Sequence, residues 1–162
     1  MSAGIPPLPP FQSFLDANRH AVWRLLVSSV GRAEAEDCFQ ETFISALAAY
    51  PKLRPDSNLS AWVMTIAHRK ALDAHRARAR RAVPVAEPAV LDTRAQGHAE
   101  PRQETLWAAV HDLPDRQRAA VLLRYMADLP HREIAAAIGC SEEAARRSLH
   151  EGLSKLRKAV PA

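Results

Sequence analysis

The stretch Leu129–Arg157, LPHREIAAAIGCSEEAARRSLHEGLSKLR, constrains the fold more than any other part of the chain. Its apolar residues recur at helical spacing on both sides of a Gly-Cys-Ser interruption: Ile134 and Ile138 before it, Ala145, Leu149 and Leu153 after it. Glycine tolerates the left-handed backbone that ends a helix, and serine accepts the free amides that begin one. The spacing therefore predicts a short helix over Arg132–Ile138, a turn at Gly139-Cys140 and a longer helix capped by Ser141. Two helices joined in this way form a helix-turn-helix, whose second helix fits a DNA major groove. Arg146, Arg147 and His150 point away from the apolar stripe of that second helix, and Glu143 shares their side. Arginine donates two parallel hydrogen bonds to guanine or holds a phosphate. Exposed arginines alone would fit any surface helix; the short preceding helix, the turn and the spacing together favour groove reading.

Strand signals are nearly absent from the rest of the 162 residues, so the expected class is all-α. A first helix is predicted over Phe11–Val30, with Phe11, Phe14, Leu15, Val22, Leu25 and Leu26 on one face and Gly31 closing it. A second, over Ala33–Tyr50, has the inward stripe Ala35, Cys38, Phe39, Thr42, Phe43, Ala46, Leu47 and Tyr50, and Pro51 and Pro55 break the chain after it. Asn58 then caps a third helix that carries Leu59, Trp62, Val63 and Ile66 inward. From Val83 to Pro101 periodicity collapses among prolines and small residues, the mark of a flexible linker. The chain thus divides into a helical domain at 8–82, a linker at 83–101 and a second helical domain at 102–160 that contains the helix-turn-helix. Leu106, Trp107, Val110, Leu113, Val121, Leu122, Tyr125 and Met126 supply apolar positions for the second.

Charge is unevenly spread although the net charge is only +4. Arg69, Arg76 and Arg80 recur at spacings of seven and four, which stacks them within roughly 20° of one another along the third helix. Such a row beside the polar residues Asp56, Ser57 and Asn58 and the aromatic Trp62 suits single-stranded DNA, whose phosphates attract arginine and whose bases stack. For Trp62 alone, core packing is the stronger reading. On the second helix Asp37, Gln40, Glu41 and Ile44 lie opposite the core stripe. Two carboxylates four residues apart on a plain helix imply no pocket for acid–base chemistry. A protein-docking face explains the mixture of charge, amide and apolar side chain; a merely solvated face is the alternative.

Other function classes find little support. Cys38 and Cys140 are far apart, fall at apolar helical positions, and read as small packed hydrophobes in a reducing, cytoplasmic setting. His68 and His75 share a helix side but lack an evident third ligand, and no HExxH, Gly-rich phosphate loop or nucleophile elbow is present. No apolar run reaches the ~20 residues a bilayer requires, and the first residues lack the pattern of a secretory signal. The expectation is a chain without cofactor, metal, catalytic residues, small-molecule substrate or membrane insertion. A stand-alone repressor sharing only the C-terminal fold remains an alternative to any larger assembly.

Three segments in order carry a resemblance that covers nearly the whole chain. AEDCFQETFISALAAYPKL resembles the polymerase-binding helix of extracytoplasmic-function sigma factors of the sigma-70 family. NLSAWVMTIAHRKALDAHRARARR resembles the segment that opens and holds the −10 promoter element in that family, and LPDRQRAAVLLRYMADLPHREIAAAIGCSEEAARRSLHEGLSKLRK the region that binds the −35 element. The resemblance implies a non-enzymatic protein that joins core RNA polymerase and directs it to promoter DNA, with an anti-sigma factor as a further partner. It implies that Asp37, Gln40, Glu41 and Ile44 face the polymerase. Asn58, Trp62, Arg69, Arg76 and Arg80 would act at the −10 element, where the Asp56–Ser60 loop would trap a flipped base. Arg146, Arg147, His150 and Glu143 would lie at the −35 element. The chain departs from the family pattern at Ser148 and Glu151, where many relatives carry arginine, at Arg69, often asparagine, and at Ala144-Ala145, more usually threonine-valine.

Overall fold

Seven α-helices account for most of the residues that the computed structural model describes, 4–81 and 101–160. They are α1 (Phe11–Val30), α2 (Arg32–Ala49), α3 (Leu59–Arg81), α4 (Pro101–His111), α5 (Asp115–Met126), α6 (His131–Ile138) and α7 (Glu142–Ala159), with a 3-10 turn at Tyr50–Lys52. There is no strand among the described residues. The expected linker at 83–101 lies outside the described residues except for its last, Pro101, which opens α4. Proline suits that first helical position because the missing amide has no partner there and its φ is already helical.

Helices α1, α2 and α3 pack on one another around a ring-rich interior. Phe14, 2% exposed, has its centroid 5.4 Å from Phe11, 6.4 Å from Phe43, 5.1 Å from Tyr50 and 5.8 Å from Trp62. Polar ties fix the register. Asn18, buried in α1, donates from Nδ2 to the Phe14 carbonyl (2.8 Å) and accepts from Ser60 Oγ (2.8 Å), which joins α1 to the start of α3. The Tyr50 hydroxyl donates to the Pro9 carbonyl at 2.6 Å and anchors the segment before α1. Asn58 Oδ1 accepts from the Ala61 amide (3.0 Å) as the cap of α3.

The C-terminal half packs α4, α5 and α6 against α7. Arg118 is its main polar brace. Almost wholly buried, it donates from Nη1 to the carbonyls of His111 (2.6 Å) and Leu113 (3.2 Å) and from Nη2 to Asp115 Oδ1 (2.7 Å). It thereby satisfies carbonyls that the end of α4 leaves free and ties them to α5. Where α5 meets α7 the helices come close enough to need a glycine: a Cβ on Gly152 would stand 2.9 Å from Val121 Cγ2.

One expected core position is not covered: Leu47 is 55% exposed, and the apolar Leu106 and Tyr125 are 39% and 66% exposed, with no helix among the described residues lying over them. In α3 the fully enclosed residues are Ala61, Val63, Met64, Ala67, His68 and Ala71, whereas Leu59, Trp62 and Ile66 are only partly covered. The three alanines let α3 approach its partners closely, Val63, Met64 and His68 fill the interior between them, and Leu59, Trp62 and Ile66 stay at the rim. The halves also touch: α1 contacts α4 and α5, α3 contacts α5 and α6, and the Arg24 guanidinium lies 5.9 Å from the Trp107 ring centroid.

Candidate nucleic-acid interface

The helix-turn-helix forms as its sequence requires. Gly139 ends α6 in the left-handed region (φ 70°, ψ 46°), and the Cys140 amide returns to the Ala135 carbonyl at 3.0 Å. Ser141 Oγ accepts from the Ala144 amide at 3.2 Å and starts α7. Ile134, Ala145 and Leu149 are buried between the two helices and α5, with Ile138 and Leu153 half-covered. This packing turns Glu143, Arg146, Arg147 and His150 to solvent. Both arginines are occupied: Arg146 Nη2 donates to Glu142 Oε1 at 2.8 Å, and Arg147 Nη2 to Glu143 Oε1 at 3.2 Å. Glu151, also exposed, accepts from Gln117 Nε2 of α5 at 2.8 Å.

Helix α3 presents a second basic surface. Arg69, Arg76 and Arg80 are all exposed along one side. Arg76 is 3.9 Å from Asp73, and Arg80 Nε donates to the Arg76 carbonyl at 3.3 Å. Among the described residues Arg69, Arg80 and Arg81 have no ion pair, while Lys70 and Arg78 turn toward Glu41 (3.9 Å) and Glu34 (2.9 Å) of α2. Asn58, at the head of this helix, has its side-chain oxygen engaged as the cap. Trp62 is half-buried against Phe14 and Tyr50, with the Tyr50 ring 6.3 Å away.

On α2 the residues Asp37, Gln40, Glu41 and Ile44 are exposed together, Ile44 by 68%. Leu47 extends this face and was missed from sequence, because its place in an apolar stripe gave it to the core. Cys38 lies behind the face, and its thiol is held above its ordinary pKa by burial and by the carboxylates of Glu41, Glu34 and Asp37. An apolar groove of about 610 Å³ in the C-terminal half, lined by Leu106, Tyr125, Leu153 and Leu156 and rimmed by Arg102 and Arg157, was likewise not anticipated.

His68 is 5% exposed and its Nε2 has no hydrogen-bond partner among the described residues. Burial first, then Arg69 and His75, lower its pKa to about 4. His111 is shifted down as well, by burial and by Arg118, against the opposing pull of Asp112. Among the described residues no three His, Cys, Asp or Glu side chains gather as a metal site. No helix among them is long and apolar enough to cross a membrane.

The chain thus has two helical halves, one with an exposed arginine row and one with a helix-turn-helix. Sigma-70 region 2 matches residues 14–81 and sigma-70 region 4 matches residues 103–156. The chain is 32% identical over 134 residues to the ECF RNA polymerase sigma factor SigC of Mycobacterium tuberculosis, covering 80% of this chain and 71% of that protein. It is 31% identical over 162 residues to the ECF RNA polymerase sigma factor SigD of the same organism, covering 91% and 76%. Its fold matches the sigma factor RpoE of Bartonella quintana, solved in complex with the anti-sigma factor NepR, with a TM-score of 0.78 at 24% identity over 92% of this chain and 95% of that one. The chain therefore belongs to the extracytoplasmic-function sigma factors of the sigma-70 family, which direct RNA polymerase in promoter-specific initiation.

Proposed function

We propose that this sigma factor binds core RNA polymerase through the exposed face of α2 and divides promoter recognition between α3 and α7. Asp37, Gln40, Glu41 and Ile44, extended by Leu47, meet the polymerase. Arg69, Arg76 and Arg80 hold the backbone of the opened −10 strand, with Asn58 and Trp62 shaping the head of α3 beside the Asp56–Ser60 loop. Arg146, Arg147, His150 and Glu143 lie at the −35 major groove. The chain itself performs no chemistry; the polymerase with which it works in the cytoplasm does. A regulator of the anti-sigma type is a further partner, by analogy with the RpoE–NepR complex.

The observation that carries this reading is the presence in one chain of two separate exposed arginine surfaces, on α3 and on the capped helix α7, together with an acidic and apolar face on α2. Purified protein added to core polymerase is expected to yield transcripts from a defined class of start sites. Absence of any complex with core enzyme would overturn the assignment. Within that assay Asp37→Lys should weaken capture of the polymerase. Arg147→Ala should cost about 1–3 kcal/mol and relax preference at one −35 position if the guanidinium reads a base.

A further inference from the structure

The half of α7 that would enter the groove carries more carboxylates than guanidinium groups. Between Ser141 and Glu151 stand Glu142, Glu143 and Glu151 against Arg146 and Arg147. Each arginine already donates to a glutamate one turn earlier, at 2.8 Å and 3.2 Å. Glu151 is held on the α5 flank by Gln117. All of these side chains are on the surface. Helix α3 is the opposite case, with Arg69, Arg80 and Arg81 in no ion pair among the described residues.

A guanidinium can give its donors to a carboxylate, to a phosphate or to the edge of guanine. An exposed carboxylate pair at this spacing is weak, weaker than a bidentate contact with the correct base. It yields to a matched site. Binding to DNA of arbitrary sequence is different, because it comes from phosphates alone and scales with the number neutralised. There the glutamates both occupy the arginines and add charge of the same sign as the backbone.

We propose that Glu142, Glu143 and Glu151 act as a carboxylate screen that suppresses binding of α7 to random duplex while leaving base reading by Arg146 and Arg147 open. The screen makes these glutamates specificity determinants: they lower general affinity more than matched affinity. The inference rests on the reading of α7 as the −35 helix. Glutamates in a first helical turn also stabilise the helix through its dipole. That role has the opposite sign in the test, since losing it would weaken DNA binding.

The test is fluorescence anisotropy of the full chain, without polymerase, on a random-sequence duplex across a series of KCl concentrations. The variant E142Q/E143Q/E151Q should bind about tenfold tighter at low salt. Its plot of log affinity against log salt should steepen by about two, one phosphate contact for each freed arginine. E142D/E143D, which keeps the charge, should bind as the parent chain does. Adding R146A and R147A to the glutamine variant should remove most of the gain and return the slope to that of the parent chain. Unchanged affinity and slope in the glutamine variant, or a steeper slope that survives loss of the arginines, would overturn the screen. The underlying reading has its own readout: R146A/R147A in the polymerase holoenzyme should change start-site choice, and unchanged choice would overturn that reading instead. Circular dichroism melting of each variant confirms that the helices remain folded.

Discussion

In the N-terminal half Phe14 touches four other rings, whereas in the C-terminal half a glycine lets α7 approach α5 until an added Cβ would strike Val121. Both halves bury an apolar core, but the first fills it with aromatic rings, and the second with aliphatic side chains beside the buried Arg118 brace. The same division runs through their charges. Helix α3 offers arginines without ion-pair partners among the described residues, and α7 offers arginines already held by glutamate. The half with the ring cluster is the one proposed to grip an opened single strand, and the half with the close helix approach the one proposed to read duplex.

The comparison breaks most easily at Phe14. Phe14→Ala should cost about 3–5 kcal/mol by emptying the space between four rings, measured by urea denaturation; a loss below about 1 kcal/mol would mean that the ring cluster is not the centre of this half. The next effect is a pH dependence tied to His68. Above pH 6.5 the imidazole is neutral in both folded and unfolded chains. As pH falls below 6.5 the unfolded chain takes up the proton first, so stability is lost progressively until the folded-state value of about 4 is reached. The full loss is about 3 kcal/mol, and His68→Leu should flatten this part of the stability–pH curve. An unchanged curve in that variant would show that other groups set the acid response.

The close approach in the C-terminal half gives a smaller and sharper test. Gly152→Ala should cost about 1–3 kcal/mol through overpacking against Val121. Combined with Val121→Ala it should cost less than the sum of the two single changes, because the added methyl then enters space that the smaller side chain vacates. Strict additivity would mean that the two residues do not meet. The smallest effect is expected at the caps. Asn58→Ala and Ser141→Ala should each lower stability by about 1 kcal/mol, measured by thermal melting. A much larger loss at Asn58 than at Ser141 would show that the loop before α3 depends on its cap more than the turn before α7 does.

Much of this architecture was legible in the residues. The bounds of α1 and the turn at Gly139 follow from apolar period and from the conformations that glycine and serine favour. Periodicity could not say which apolar face would find a neighbour, and so the inward stripe of α2 includes Leu47, which is exposed. Polar residues hide in the opposite way. Arg118 and His68 look like surface residues by composition, yet one satisfies carbonyls at the end of α4 and the other fills a tight place in α3. Gly152 sits inside a helical pattern where only the approach of α5 explains it. For the proposed site, the exposed positions of α3 and α7 could be anticipated from angle alone. The pairing of Arg146 and Arg147 with glutamates was equally visible as a four-residue spacing, but its meaning depends on what else those arginines could touch.

Trp107 stands where the halves meet, with the charge of Arg24 over its ring. The other two tryptophans belong to the N-terminal half, where Trp62 and Trp23 pack on neighbouring rings. The seam is therefore marked by an indole of its own. Any event that parts the halves removes a cation from that ring and wets it, so the protein carries a built-in optical gauge of its own opening.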